Sequence, residues 1–323
     1  MNILVPINNI NSVSEYAKYG AKEYYLGFHD EQWKECFGNF SDLNRMSGFE
    51  SDANKYTVHD VAKISDEVHR IGGTLFITMN SAYYSSEQIQ KIKEYLSILK
   101  ISKIDGVIVS DLELALAVAD SGIAPIASTM CGIYNSEIAK QYIDNGIKRI
   151  ILPRELSLAE VADIVIKAPS AEYEVFMMRS GCKFSDSQCR GFHRYPYGAL
   201  CENIRRSTCK VGGCKDNFQL RQKVSINETC YNSLYQITAC GICAIYRLLN
   251  MKIAAAKIVG RAEDEKKILK DIQLVQDNIE IAKQCCSEEE YLEKMIFPSE
   301  RDHTCFRGNS CYFPEVRFNQ KMI

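Results

Sequence analysis

Short apolar runs alternate with amphipathic stretches along the first 180 residues, and this rhythm constrains the fold more than any other feature of the chain. Each apolar run has the length of one strand, and the stretches between them have helical spacing of their apolar residues. Parallel strands joined by helical crossovers form either an open doubly wound sheet or a closed barrel. The predicted strands are residues 3–6, 23–27, 74–79, 106–110, 125–128, 149–152 and 173–178.

An eighth apolar run, residues 254–259, follows a cysteine-rich stretch, and a helix over residues 264–285 could then close a barrel. We therefore predict an α/β fold of the (β/α)8 TIM-barrel type, with a cysteine-rich irregular insert between strands 7 and 8. Functional loops of such barrels follow the carboxyl ends of the strands. The polar stretch from 28 to 56 is predicted to be a long loop. The expected division is 1–180 for seven β/α units, 181–240 for the cluster-binding insert, 241–290 for the last strand and closing helices, and 291–323 for a C-terminal tail.

The net charge and the N-terminal sequence limit the cellular compartment and the partners that we expect for this protein. The net charge of −2 and pI near 6.3 provide no global positive surplus for a nucleic-acid backbone. The first 20 residues lack the basic and apolar regions of a secretory signal. No apolar run is long enough to cross a bilayer. We expect a cytoplasmic protein without membrane insertion.

Cysteine is the unusual component, because the chain has 14 and only Cys36 and Cys131 precede residue 182. In a reducing compartment, clustered cysteines indicate metal binding or catalysis more often than disulfides. Small buried apolar residues are the alternative, and the favoured one for any single cysteine such as Cys36, Cys131 or Cys285. Structural zinc sites usually have two close pairs, whereas this chain has one, Cys240 and Cys243. The spacing therefore slightly favours an iron–sulfur cluster over zinc.

Several motifs occur in a fixed order. P-R-E-L-S-L begins at Pro153, E-V-F-M-M-R-S-G-C ends at Cys182 and is followed by Cys189, and K-I-V-G-R ends at Arg261. Together with Ser128-Thr129 and a following asparagine, this set resembles the U32 peptidase family from the first strand to Arg261. The resemblance implies a (β/α) barrel and a [4Fe–4S] cluster held by four cysteines. It also implies oxygen-independent hydroxylation of tRNA uridine, rRNA cytidine or the ubiquinone ring, with prephenate as the hydroxyl source, although other members are collagenase-like proteases.

The resemblance carries over to particular cysteines. Cys182 and Cys189 match the first two ligands of the family, and Cys243 matches the last. For the third we select Cys201, because a glycine turn precedes it, and keep Cys209 as the alternative. Two positions depart from the family pattern: Val259 stands in place of a glutamate, and Arg179 stands in place of a histidine. These departures weaken the assignment of any one reaction of the family to this chain. No role is assigned to Cys214, Cys230, Cys240, Cys305 and Cys311.

Four residues are candidates for catalysis. Arg154 and Glu155 follow the sixth strand, where Arg154 could hold a substrate carboxylate in a bidentate fork, or the two could form an ion pair at the barrel rim. Lys257 and Arg261 bracket the eighth strand, near which barrels often bind phosphate or carboxylate; the alternative is solvated charge.

Two further groups have structural interpretations. Glu174, in the seventh strand, would need a partner inside the barrel, such as Lys257. An aromatic–basic segment, residues 190–198, could stack RNA bases, but packing over the cluster is the favoured interpretation.

The function that we predict is that of an oxygen-independent hydroxylase or a related oxidative enzyme. It would use a [4Fe–4S] cluster and prephenate as co-substrate, and act on a small molecule, a peptide or RNA. One alternative is a U32-type peptidase or protein-processing factor, although the sequence contains neither a G-x-S-x-G nucleophile elbow nor an H-E-x-x-H motif. Another is a cluster-binding subunit that acts only in a heterodimer with a related chain.

Overall fold

Eight parallel strands close into a barrel in this computed structural model, so the predicted (β/α)8 barrel is confirmed, whereas most of the predicted cysteine-rich insert lies outside the described residues. Taken around the barrel, the strands run in the order β1-β8-β7-β6-β5-β4-β3-β2, and β1 pairs with both β8 and β2 to close it. The structure describes residues 1–38, 41–46, 53–179, 182, 185–189, 193–194, 198–199, 239–298 and 311–318. The strands are β1 (Asn2–Pro6), β2 (Ala21–Leu26), β3 (Thr74–Met79), β4 (Gly106–Val109), β5 (Pro125–Ala127), β6 (Arg149–Ile151), β7 (Glu172–Met178) and β8 (Ala255–Ile258).

Helices lie between successive strands, and their ends follow local sequence signals. Ser85 and Ser157 each open a helix with a capping box. None of the described helices is long and apolar enough to cross a membrane. The helices are α1 (Val13–Lys18), α2 (Glu31–Phe37), α3 (Val61–Arg70), α4 (Ser86–Ile101), α5 (Leu112–Asp120), α6 (Ser136–Asp144), α7 (Leu158–Lys167), α8 (Ile245–Asn250), α9 (Glu265–Gln284), α10 (Glu288–Lys294) and α11 (Pro314–Phe318).

The prediction of one long loop after β2 was wrong. This stretch contains α2, whose first turn is capped by the side chain of Asp30, and a two-residue strand at Phe28–His29 that pairs with Tyr56–Thr57. Trp33 explains the helix, because its ring is buried and packs edge-on against Phe37, with the ring centroids 4.7 Å apart. A single large aromatic side chain can fix a short helix that has no repeated apolar pattern.

The barrel interior holds a network of buried charges on four strands. Glu174 of β7 accepts hydrogen bonds from Arg149 Nε at 3.2 Å and from Lys257 Nζ at 2.9 Å. Arg149 also pairs with Glu23 of β2. The ammonium of Lys257 lies 4.4 Å from the ring centre of Tyr25. The predicted partnership of Glu174 with Lys257 is confirmed, and two acids are balanced by two bases.

Substitution of Glu174 by glutamine should destabilise the barrel strongly. The change leaves one of the two buried cations without its carboxylate, so the free energy of unfolding should fall by about 3–5 kcal/mol. Urea unfolding of the full-length protein measures this. The matched control is Glu137→Gln, because Glu137 pairs with Lys140 on the surface with its side chain 79% exposed. Equal stability of the two variants would contradict a structural role for the network.

Candidate functional site

Arg261 lies at the carboxyl ends of the strands, which we call the barrel mouth, and is almost completely buried there. Its Nη1 donates to Thr78 Oγ1 at 2.8 Å and to Asn54 Oδ1 at 3.0 Å, and both partners are neutral. Within the described part of the chain, no carboxylate pairs with Arg261. Burial lowers its pKa to about 10, because the charged form loses its hydration. A buried cation without a counter-charge is a candidate for binding an anion.

Gly27, directly after β2, makes room for this guanidinium. A Cβ atom at that position would lie 2.0 Å from Arg261 Nη1 and 2.3 Å from Asn54 Oδ1. Both distances are far shorter than any tolerated contact, so a side chain here would displace the arginine or its amide partner. The position of Arg261 therefore depends on glycine at residue 27.

Arg154 also lies at the mouth, and its guanidinium is engaged by a carboxylate that the sequence did not indicate. Asp186 Oδ2 accepts from Arg154 Nη2 at 2.8 Å, and Asp186 Oδ1 lies 2.6 Å from Arg45 Nη1. Burial alone would raise the pKa of Asp186, but Arg154 and Arg45 hold it well below its usual range. The Arg154 guanidinium also lies 4.5 Å from the ring centre of Phe176.

The four predicted catalytic residues do not share one surface. Burial is the main cause of the lowered pKa of Lys257, and the nearby positive charge of Arg261 also lowers it. Arg154 lies at the same end of the barrel. Glu155 is exposed and accepts a hydrogen bond from the Tyr134 hydroxyl at 2.6 Å. The structure thus places Arg154 and Arg261 at the barrel mouth, Lys257 in the interior network with Glu174, and Glu155 on the rim.

Sequence reasoning missed several residues of the mouth. Arg45 and Asn54 lie in the stretch predicted to be a plain loop, and Asp186 lies between two candidate cluster ligands. Tyr312 comes from the far C-terminal segment, and its ring stacks on Phe176 with the centroids 6.0 Å apart. Only Asp186 carried a sequence signal, an acid between two cysteines, whereas the other three had no local pattern.

Of the described cysteines, Cys240 lies at the carboxyl end of β7, where it forms a β-bridge with Met178. The amide of Gly241 donates to Met177 O at 2.8 Å, which brings the Cys240–Cys243 pair beside this strand. Cys189 and Cys243 are buried, and Cys182 is half-buried and interacts electrostatically with Arg154. Thiolates are the donors that hold iron–sulfur clusters, so these cysteines are candidate ligands by residue type.

The described residues do not contain a complete set of cluster ligands. No group of three or more histidine, cysteine or acidic side chains there could hold a metal ion. Cys201, the predicted third ligand, lies outside the described residues, and so does its alternative, Cys209. The same is true of the unassigned Cys214, Cys230 and Cys305, and of most of the aromatic–basic segment 190–198.

Arg179, one of the two departures from the family pattern, does not face the mouth. Its side chain pairs with Asp271 in α9 and with Glu263 just before that helix. Its backbone has a φ of 68°, which is unusual for a residue with a side chain, and its amide donates to Ala239 O at 2.7 Å. Arg179 therefore anchors the chain where it leaves β7. Val259, the other departure, is half-buried after β8.

The model of peptidase family U32 matches residues 8–309. Among curated relatives, a protein of Methanocaldococcus jannaschii described as an uncharacterized protease is 24% identical over 87% of this chain. The tRNA hydroxylation protein P of Haemophilus influenzae is 25% identical over 65% of it. The 23S rRNA 5-hydroxycytidine synthase of Escherichia coli is 30% identical over 41% of it.

The matched segments make up 65%, 43% and 20% of those three relatives, so the chain spans less than two thirds of their length. A solved structure of a U32 peptidase superposes with a TM-score of 0.46 at 15% identity, over 63% of this chain and 79% of that one. The family match extends over nearly the whole sequence, from just after the first barrel strand to residue 309. The chain belongs to peptidase family U32.

Proposed function

We propose that this protein is an oxygen-independent hydroxylase-type enzyme that uses a [4Fe–4S] cluster and takes the hydroxyl group from prephenate. Relatives named for hydroxylation of tRNA and rRNA favour a base in RNA as the acceptor. The observation that carries the proposal is the buried Arg261 guanidinium, whose described partners are neutral. An anionic co-substrate would supply a counter-charge that none of the described residues gives this arginine.

The charges of the mouth support a dianionic co-substrate. Arg45, Arg154 and Arg261 contribute three positive charges, whereas Asp186 contributes one negative charge. Lys257 is already paired with Glu174. The mouth therefore has a positive excess among its described residues, and prephenate has two carboxylates. A carboxylate can accept two parallel hydrogen bonds from a guanidinium, which fixes its orientation as well as its position.

The surrounding residues would hold and shield that ion pair. Asn54 and Thr78 fix the guanidinium of Arg261 from the loop after β2 and from β3. The aromatic rings of Tyr25, Phe176 and Tyr312 are buried next to the cations. Aromatic walls exclude water, and electrostatic attraction is stronger where the local dielectric is low. Binding and orientation of the donor are thus the tasks that this chain's own residues perform.

The cluster is assigned to Cys182, Cys189, Cys201 and Cys243. When bound, it would supply electron transfer or Lewis-acid chemistry at the mouth. Cys182 is near Arg154, so a cluster on these cysteines would lie at the mouth, at whose arginines the anionic donor is proposed to bind. This proximity is what the proposed reaction requires, because the donor and the redox group must meet.

Anaerobic purification tests the cluster. The wild-type protein should be brown, with a broad absorption band near roughly 400 nm and about four irons and four sulfides per chain. Cys243→Ser should lose most of both, because serine is a poor ligand for iron–sulfur clusters. Cys36→Ser is the matched control, since Cys36 is exposed on α2, away from the proposed ligands. A colourless wild-type protein that contains zinc or no metal would contradict the assignment.

Prephenate binding tests the anion site. Calorimetric titration should give a dissociation constant at least roughly tenfold weaker for Arg261→Met than for wild type, because charge-assisted hydrogen bonds are lost. Gly27→Ala should weaken binding to a similar degree while Arg261 itself is retained, because the added methyl group displaces its guanidinium.

The control for this titration is Arg70→Met, which removes an arginine whose side chain is 63% exposed and paired on the surface. It should bind prephenate as wild type does. Unchanged affinity in both Arg261→Met and Gly27→Ala would rule out Arg261 as the anion site. A wild-type protein that binds no prephenate would remove the proposed donor.

A further inference from the structure

The cysteine-bearing segment between Cys182 and Cys189 is attached to the mouth by three consecutive residues. The hydroxyls of Ser185 and Ser187 both contact the Tyr134 hydroxyl, the latter at 3.0 Å. Between these two serines, the carboxylate of Asp186 forms ion pairs with Arg45 and Arg154. The carbonyl of Asp186 also accepts from the amide of Cys189 at 3.1 Å, so the turn that carries this cysteine starts at Asp186.

The Asp186 contact differs in kind from the two serine contacts. Its side chain is completely buried, whereas hydroxyl contacts near the surface exchange readily with water and contribute little net free energy. A buried carboxylate between two guanidiniums is costly to separate, because each group would be left as an uncompensated charge. Asp186 is therefore the strongest described attachment of the segment.

The two arginines come from separate parts of the barrel. Arg45 lies in the connection between β2 and β3, and Arg154 lies just beyond β6. The Arg154 guanidinium is also held against the Phe176 ring, so its position is determined by the barrel rather than by Asp186. The barrel thus contributes both arginines of what we call the Arg45–Arg154 fork, and the cysteine segment inserts a carboxylate between them.

We propose that Asp186 is an internal carboxylate ligand of the Arg45–Arg154 fork and that it docks the cysteine segment onto the barrel mouth in the absence of any metal. It is thereby a positioning residue for the thiols of Cys182 and Cys189. The description of these thiols as cluster ligands rests on the proposed function, but the docking itself does not. While the segment is docked, the fork is occupied, and an external carboxylate is directed to Arg261 instead.

Alkylation of individual cysteines in the full-length protein tests the docking. The protein is freed of metal with a chelator under reducing, anaerobic conditions and treated with iodoacetamide, and each site is followed by mass spectrometry. Cys189 is buried and reports on the segment. Cys131 donates to Val109 O at 3.4 Å, and burial raises its pKa to about 12, so its reaction reports on barrel integrity. Cys36 is exposed, and its alkylation serves as the reference for the reactivity of the iodoacetamide.

Asp186→Ala should raise the alkylation rate of Cys189 at least roughly tenfold, because the ion pairs that hold the segment are lost. The rates at Cys131 and Cys36 should not change. Asp186→Glu, which retains the charge, should recover part of the protection. Glu137→Gln, which removes a surface carboxylate, should behave as wild type. An unchanged rate at Cys189, or a parallel rise at Cys131, would overturn the proposal.

Added formate separates docking from mere charge compensation. In Asp186→Ala, formate can occupy the vacated fork and should raise the thermal midpoint towards that of wild type. It should not restore protection of Cys189, because a free anion carries no connection to the segment. Recovery of Cys189 protection by formate would show that Asp186 only balances charge. Neither result depends on whether the protein binds a cluster, so failure of the proposed function would be seen separately, in the iron and sulfide analysis.

Discussion

A carboxylate that is completely removed from water, at Glu174, constrains the whole interior of the barrel. It must be paired, and its partners Arg149 and Lys257 are supplied by the two neighbouring strands, β6 and β8. Arg149 continues the chain of charges to Glu23 on β2, on the other side of the closure between β8 and β1. Because strand register decides which side chains face inward, a slip of one residue would leave these charges in an apolar layer. The network thus links strands that are distant in sequence and favours a single alignment.

The mouth lies above this network of balanced charges and has an excess of positive charge among its described residues. The balanced charges serve the fold, whereas the excess charge is available for function. Asp186 neutralises one guanidinium of the Arg45–Arg154 fork, while the partners of Arg261 in the described part of the chain, Asn54 and Thr78, are neutral. Relatives of this family are named both for RNA hydroxylation and as proteases or a collagenase, so the shared fold does not decide the reaction. A buried cationic mouth suits the binding of an anionic small molecule.

Two segments that carry cysteines converge on β7 and are attached to the barrel by different means. Asp186 holds the segment that follows the strand through ion pairs. Tyr312 holds the Cys240–Cys243 segment, since its amide donates to Cys240 O at 2.9 Å and its hydroxyl donates to Arg179 O. The left-handed backbone of Arg179 lies between them, and the ion pairs of its side chain with Asp271 and Glu263 stabilise a conformation that is costly in isolation. The C-terminal segment is therefore part of the mouth.

The sequence by itself determined the order of strands and helices, and for β3 it also gave both limits of the strand. It could do so because apolar periodicity and helix caps act over a few residues. It also indicated that Glu174 would pair with Lys257, because barrel topology makes their strands neighbours. Only the tertiary structure decided that Arg154 would meet Asp186, that Asn54 would hold Arg261, and that Tyr312 would return to Phe176. These contacts join loops and a terminal segment whose meeting depends on how the whole chain closes, and no local pattern encodes that closure.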